Sequence, residues 1–391
     1  MPPSPTASVT SGPGPSPTGV VATLKASPRR SAAGALLLVA SLAGAHLVER
    51  RGVDRYASLD RSADTVLTVP ADRVDPAHEG ALVHVRGAAQ SGVELVDEAF
   101  GVKLPALRLV RHVEVYAWEE SKRDDKRKND KGEDETVTTY VYTKRFTATP
   151  ADSSSFKEAE GHKNPEKIAF AEQEFVAKDT RLGAFVLPSE ALRKLTQFEP
   201  AKVTQEMLSR SPHAAQLHEH EGAAFYGKDP KDPKVGDLRI SYQSVKPQPV
   251  SVVARQSGGT FVAYQPNPDA DETVFLLAAG DVEAKAMFAV AKEDTSRLTL
   301  GLRGLALLGA IVALSLLLVP FASRRPFVPG FARAPRVSAV LFSALVGAGA
   351  VSGVAGGTWV AMRPLLGVPL LLAAVACFAV AGVAERRARR A

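Results

Sequence analysis

The chain has 391 residues, with 48 Lys and Arg against 42 Asp and Glu and a formal net charge of +6. Its one cysteine, Cys377, excludes an intrachain disulfide framework, a CxxC redox pair and a cysteine-built metal site. The positive charge does not point to nucleic acid, because the arginines gather at the borders of apolar runs: Arg29 and Arg30, Arg324 and Arg325, Arg333 and Arg336, and Arg386 to Arg390. Cytoplasmic loops of membrane proteins carry that pattern. Scarce isoleucine and asparagine beside abundant Ala, Arg, Gly and Val are the coding bias expected of a GC-rich bacterial genome.

The first 30 residues, rich in Pro, Ser, Thr and Gly up to Pro28, are expected to form a disordered cytoplasmic tail, since they bury too little apolar surface to offset chain entropy. Four apolar segments follow at residues 31–48, 298–319, 337–362 and 365–384. A span needs roughly 20 residues, so the first is near the minimum and the others suffice. Only Arg363 and Pro364 separate the last two, which predicts a helical hairpin. Placing the arginine-rich loop 320–336 and the basic tail 385–391 in the cytoplasm puts the N-terminus there as well, and residues 49–297 outside. The expected membrane is the inner (cytoplasmic) membrane of a bacterium; in a eukaryote it is the endoplasmic reticulum and inner nuclear membrane. Lys25, Arg29 and Arg30, the apolar stretch after them and Ala43-Gly44-Ala45 also read as a signal peptide with an A-x-A cleavage site, and either reading translocates the large domain.

Residues 49–297 read as α+β, with strands in the majority. Strands are predicted at 81–87, 107–118, 136–149, 236–245, 250–255, 260–265 and 272–278, with a turn at Gln256-Ser257-Gly258-Gly259. Leu107, Leu109, Val113, Val115 and Ala117 share one side of the second. The charged run 119–135, EESKRDDKRKNDKGEDE, nearly cancels its own charge and reads as the solvated tip of a long hairpin. Residues 281–297 read as an amphipathic helix, with Val282, Ala286, Met287 or Phe288, and Val290 to one side, running directly into the second apolar segment. That continuity would couple the outer domain rigidly to the membrane part.

The stretch Gly161-His162-Lys163-Asn164-Pro165 raises the question of a catalytic loop. Asn164 suits a helix N-cap and Pro165 the first helical position, with Glu166 in the first turn and Ile168, Ala171 and Phe175 at helical spacing. His162 has no nucleophile near it in sequence, so a helix start is predicted. His218 and His220, in His218-Glu219-His220-Glu221, could share an ion on a strand, with His213 nearby. Such tracts are compositional signals, and neither a metal nor a cofactor is expected. There is no G-x-S-x-G, P-loop, H-E-x-x-H or G-x-G-x-x-G after a strand. Within the apolar segments only Arg303 is charged, and it is expected to snorkel to the outer interface; a proton- or ion-coupled carrier has little to work with. Gly349, Gly353 and Gly357 recur every four residues and predict a close helix contact, either within the hairpin or between protomers.

Five motifs in order, HVEVYAWEES, ETVTTYVYTKRF, DSSSFKEAEGHKNP, KVGDLRISY and VSVVARQSGGTFVAY, resemble the transmembrane protein 43 family, also called LUMA. Gly161, His162, Asn164, Pro165, Gly236, Asp237 and Arg239 fall in them as structural positions. The chain departs from the family where Arg145-Phe146 follows the β-rich run in place of a tryptophan, and in a longer charged hairpin tip. The resemblance implies an early helix, a large translocated domain and late helices. It also implies animal relatives in the endoplasmic reticulum and inner nuclear membrane, credited with organising membrane protein complexes with the nuclear lamina and other envelope proteins. It carries over no catalytic residue, and in a bacterium no lamina.

The expectation is therefore a strand-rich extracytoplasmic α+β domain inserted between the first and second of four transmembrane α-helices. The protein would act as a multi-pass scaffold for membrane protein complexes rather than as an enzyme. Its partners would be the bilayer, other membrane proteins or its own copies. The rival is a ligand-binding receptor or hydrolase using the outer domain.

Overall fold

The computed structural model describes residues 28–128, 134–267, 271–322, 327–331 and 333–390. The tail expected before Pro28, the very tip of the charged hairpin and the pair Arg324 and Arg325 lie outside the described residues. The chain divides into a helical unit, Met1–Arg61 with Pro266–Glu272 and Ala289–Ala391, and a strand-rich unit, Ser62–Gln265 with Thr273–Phe288.

Among the described residues four helices are long and apolar enough to cross a membrane: α1 (Pro28–Thr65), α2 (Ala284–Ala322), α3 (Pro335–Trp359) and α4 (Pro364–Arg390). At 38 and 39 residues, α1 and α2 far exceed one bilayer crossing. The first does not stop at Val48 but runs on through the polar sequence to Thr65, where no proline interrupts it. In α2 the buried residues of the first turn are Ala284, Met287 and Phe288, while Val290 is exposed, so the apolar side expected through Val282, Ala286 and Val290 is replaced by this narrower stripe.

Sixteen strands build the second unit. In chain order they are β1 (Leu67–Val69), β2 (Leu82–Ser91), β3 (Leu95–Asp97), β4 (Val102–Leu104), β5 (Arg108–Lys128), β6 (Asp134–Thr147), β7 (Gln173–Val176) and β8 (Thr180–Leu182). Then follow β9 (Phe185–Leu187), β10 (Glu199–Ala201), β11 (Leu217–His220), β12 (Ala223–Tyr226), β13 (Leu238–Val245), β14 (Gln248–Ser257), β15 (Thr260–Val262) and β16 (Leu276–Ala279). Strands β2, β8, β9, β15 and β14 pair in turn, and β14 pairs back onto β2, closing a five-stranded barrel with β1 and β16 attached at its seam. Closure removes the sheet edges a short-stranded sheet would otherwise expose. Val83, Val85, Leu182, Phe185, Leu187, Val252 and Phe261 pack as its apolar core, with Phe185 and Phe261 stacked at 5.0 Å. The β14–β15 link is the expected tight turn: Gly258 and Gly259 both have positive φ, as a two-residue hairpin requires.

The other sheet runs β11-β12-β13-β5-β6, with β10 on β13 and β7 on β5. Its core includes Phe100, Leu109, Val113, Val115, Leu238, Ile240 and Tyr242. The alternation predicted along β5 holds, but Arg111 occupies a buried place in it. A buried guanidinium needs a paired carboxylate, and Asp97 supplies one, accepting from Arg111 Nη1 at 2.7 and 2.9 Å and from the Tyr242 hydroxyl at 2.8 Å. Burial first, then the Asp97 charge, pushes the Tyr242 phenol far up, so it stays protonated and donates. The charged run 119–135 proves to be largely strand: β5 and β6 stay paired without a break from Val115↔Thr147 to Lys128↔Asp134.

The predicted helix after Asn164 is absent. Residues 161–172 are irregular, Phe175 lies in β7, and Ile168 and Phe170 pack on the second core. A cap and a first-turn proline permit a helix, but here the amide of Asn164 is spent elsewhere, as described below.

His84 of β2 is wholly buried. Its Nε2 donates to the Val282 carbonyl at 3.0 Å, which leaves Nδ1 as acceptor 3.2 Å from the Thr68 hydroxyl. Burial, helped by Arg86, holds its pKa below the usual imidazole value against the opposing pull of the Val282 carbonyl, Glu283 and Asp281. A folded pKa below the unfolded one means that the neutral ring is the form the fold favours. Its contribution is fully present above about pH 6.5 and is lost as pH falls from there through the lower folded value. The melting temperature of the full-length protein should therefore fall more steeply below about pH 6.5 than that of His84→Gln. Equal slopes would refute this assignment.

Candidate functional site

Two constellations gather the side chains singled out by sequence, one in each unit. In the strand-rich unit, the segment from Asp152 to Pro165 folds back onto the base of the β5–β6 hairpin. Asn164 Oδ1 accepts from the Trp118 N–H at 2.7 Å, and Nδ2 donates to the carbonyls of Trp118 and Ala151 at 2.9 and 3.0 Å. The amide thus completes the β5 backbone like a one-residue strand. Glu120 Oε2 accepts from the Lys157 N–H and the Tyr142 hydroxyl, both at 2.6 Å, and that hydroxyl accepts from the Glu158 N–H. Desolvation and the Glu120 carboxylate raise the Tyr142 phenol, which keeps its proton.

His162 stacks on Tyr142 at 3.9 Å, meets the Trp118 edge-on at 4.6 Å, and turns Nδ1 to the Glu158 carbonyl. Lys144 lies 4.5 Å over Trp118. Among the described contacts of this clasp His162 meets no serine, threonine or cysteine, and Ser153 Oγ accepts from the Asn164 N–H at 3.1 Å. Gly161, at φ +83, makes the turn into the clasp, and Pro165 follows Asn164 in irregular chain. Gly236 and Asp237 extend the β5–β13 ladder by one step, through Gly236 N–H to Tyr116 O at 2.9 Å and Tyr116 N–H to Asp237 O at 2.8 Å. Arg239 clamps Glu114 at 2.8 Å and covers the Phe146 ring at 4.8 Å.

His218 and His220 sit on β11 opposite Phe225 and Ala223, and the described residues contain no group of three His, Cys, Asp or Glu placed to hold a metal. Beside them lies a recess of about 410 Å³ lined by Lys202, Thr204, Gln205, Glu219 and Glu221. The Thr204 hydroxyl in it caps Met207 N–H and the Glu219 carboxylate binds Gly222 N–H, both within their own turns.

In the helical unit α1 and α2 run antiparallel, with Gly34 against Leu317 at one end and Gly52 against Thr299 at the other. Between these contacts lies a buried ion pair that sequence reasoning missed. Glu49, 1% exposed, accepts from Arg303 Nε at 2.6 Å, Arg303 Nη2 at 2.9 Å and Trp359 Nε1 at 2.6 Å. Arg303 therefore does not snorkel to water but is neutralised inside the unit, and one carboxylate ties α1, α2 and α3 together. Tyr56 packs edge-on against Trp359 at 6.1 Å, and the Arg363 guanidinium lies over the Tyr56 ring at 4.7 Å. Glu49 had been assigned to the outer segment because it follows the last apolar residue of the first run, and helix length was the signal overlooked.

Of the glycine stripe, Gly349 approaches Cys377 and Phe378, Gly353 approaches Ala374, and Gly357 approaches nothing. The tightest crossing lies one residue off the stripe. A Cβ on Gly356 would sit 2.8 Å from the Leu371 nitrogen, and one on Gly367 would sit 2.5 Å from the Val360 nitrogen. Those atoms are backbone and cannot yield.

Two outcomes follow from these geometries. Asn164→Asp keeps the acceptor for Trp118 N–H but turns a charge toward two carbonyls, and it should cost about 1–3 kcal/mol in chemical denaturation. A helix cap would tolerate the same change. In the membrane, Glu49→Leu leaves the Arg303 charge unpaired and should lose about 3–5 kcal/mol, read as abundance and melting in detergent. Adding Arg303→Met should recover most of that loss; a double variant no better than the single one would show that the pair is not what holds these helices.

Residues 115–364 match the family described as Transmembrane protein 43. The chain is 31% identical over 255 residues to Transmembrane protein 43 of Rattus norvegicus and to that of Homo sapiens, covering 62% of this chain and 62% of each relative. To the Transmembrane protein 43 homolog of Drosophila melanogaster it is 26% identical over 236 residues, 59% of this chain and 61% of that one. The chain thus spans less than two thirds of the length of the curated relatives it matches. No solved structure matches it. The matched stretch takes in Val115–Lys128 of β5, the Asn164 clasp, the strands from β6 to β16, and helices α2 and α3, and the chain belongs to the Transmembrane protein 43 family.

Proposed function

We propose that this multi-pass membrane protein is a non-enzymatic scaffold that gathers membrane proteins, its own copies among them, around its strand-rich unit and its helices. The observation that carries the reading is the outer half of the β5–β6 hairpin. From Ser121↔Val141 to Lys128↔Asp134 the two strands pair only with each other, beyond the reach of the apolar core. A two-stranded ribbon is marginal alone in water, so a long one held out from its sheet is best understood as a surface for another chain. Two features count against the chemical alternatives: His162 is locked in the clasp, and the Glu49 and Arg303 charges neutralise each other instead of lining a relay. Arginine placement supports an orientation with residues 320–336 and the C-terminal tail in the cytoplasm of a bacterial inner membrane, and the strand-rich unit outside.

The test uses the full chain in native membranes and a crosslinker that cannot cross the bilayer, with products identified by mass spectrometry. The ribbon should be crosslinked to neighbouring membrane proteins. Replacing residues 121–141 by an Asn-Gly turn should remove those neighbours without lowering the abundance of the chain. An unchanged set of neighbours would refute the scaffold role of the ribbon, and a ribbon reached only after the membrane is opened would reverse the orientation.

A further inference from the structure

Resting on the scaffold reading, we infer that the free edge of β6 is where two copies of this chain pair, strand to strand and antiparallel about Thr139. The two edges of the ribbon are unlike. The β5 side, Ser121–Lys128, carries Lys122, Arg123, Lys126, Arg127 and Lys128 with Asp124 and Asp125. Charge of that density, lysine above all, is how sheet edges are guarded against added strands. The β6 side is unguarded. Residues 136–143, Thr-Val-Thr-Thr-Tyr-Val-Tyr-Thr, contain no charge and no proline, and every type among them favours a pleated surface. Pairing with β5 is uninterrupted over the whole of β6, so no bulge twists the edge away. Among the described residues nothing pairs with the other edge of β6, and Val141 is 43% exposed.

Charge then selects the occupant and the register. Two copies related by a two-fold axis through an antiparallel pair must place one residue opposite itself, and directly opposed side chains share a face. Centring the axis on Thr139 sets Val137 opposite Val141 and Asp134 opposite Lys144, and each of these pairs occurs twice. Centring it on Tyr140 would draw on Arg145, which is already ion-paired with Glu119 at 2.6 Å. Lys144 instead packs over the Trp118 ring at 4.5 Å, a contact it can keep while it meets a carboxylate. The β6 edge is thus self-complementary: an uncharged stretch flanked by an acid at one end and a base at the other, which antiparallel pairing brings together. The closure this gives is a closed dimer and not an open chain.

The experiment uses the full-length protein in detergent with Cys377→Ala as background. Opposed residues in an antiparallel pair lie about 4.5–5.5 Å apart at Cα, within the range a disulfide bridges. Thr139→Cys should therefore give a covalent dimer under mild oxidation. Thr143→Cys should not, because its copies would lie roughly 27 Å apart, eight residues out of register. Lys144→Asp should lower the dimer yield roughly threefold or more, and adding Asp134→Lys should restore it. No dimer from a Thr139→Cys protein that melts like its parent would overturn the proposal, as would equal yields at positions 139 and 143. Ribbons crosslinked only to other proteins would overturn self-pairing and leave the scaffold reading standing.

Discussion

The strand-rich unit depends on the pairing of β2 with β14. These strands come from opposite ends of its sequence, yet they match over eight residues from Gln248↔Ala89 to Arg255↔Leu82. That ladder closes the barrel. It also sets β1 and β16 on either side of the seam, so the strand that brings the chain into the unit and the one that leads it out are three spacings apart, roughly 14 Å. A domain inserted between two helices needs its ends near each other, and here one ladder meets that need. His84 lies at the seam and bonds both sides, Thr68 on the way in and Val282 on the way out. A neutral ring can make both bonds at once, and for that reason its protonation state matters to the unit.

A second constraint recurs at three places in the molecule: a polar side chain withdrawn from water is matched by more than one partner. Asp97 answers Arg111 and Tyr242, Glu49 answers Arg303 and Trp359, and Asn164 answers three backbone groups. Each is a long-range contact, so none can be read from local spacing. The misreading of Gly161 to Pro165 shows the mechanism. Asn and Pro fit a helix start, but an amide has both a donor and an acceptor, and the exposed edge of β5 at Trp118 needs both. One cap bond is worth less than three bonds to backbone groups that would otherwise be unpaired.

What the sequence made legible is what is local. The four helices, the long β5–β6 hairpin, the β13 and β14 strands and the Gly258-Gly259 turn each follow from a period or a turn signal within a dozen residues. The barrel was illegible because β8 and β9, which link β2 to β15, are three residues each and carry no periodicity. Helix α1 continues through polar sequence to Thr65, and Glu49 lies just past its apolar run, so local hydropathy does not point to it. The glycine stripe meets α4 at Gly349 and Gly353 but not at Gly357, for a geometric reason. Spacing of four gives a face but not its azimuth, and Gly356, one residue aside, sits where the chains cross.

The clasp gives the ribbon its meaning. A two-stranded ribbon without support would adopt no fixed direction, and a surface with no fixed direction recognises little. Here the ribbon is fixed at its base on two flanks. The β13 ladder and Gly236 hold β5 up to Tyr116, and Asn164, Glu120 and the stacked His162–Tyr142 pair hold the next turn of the pleat. Support ends where the charged run begins. The residues that look most like a catalytic loop in sequence thus serve to fix the direction of the ribbon. Their contribution is conformational: on the scaffold reading proposed above, the ribbon is ordered in advance and less ordering would be left to oppose association.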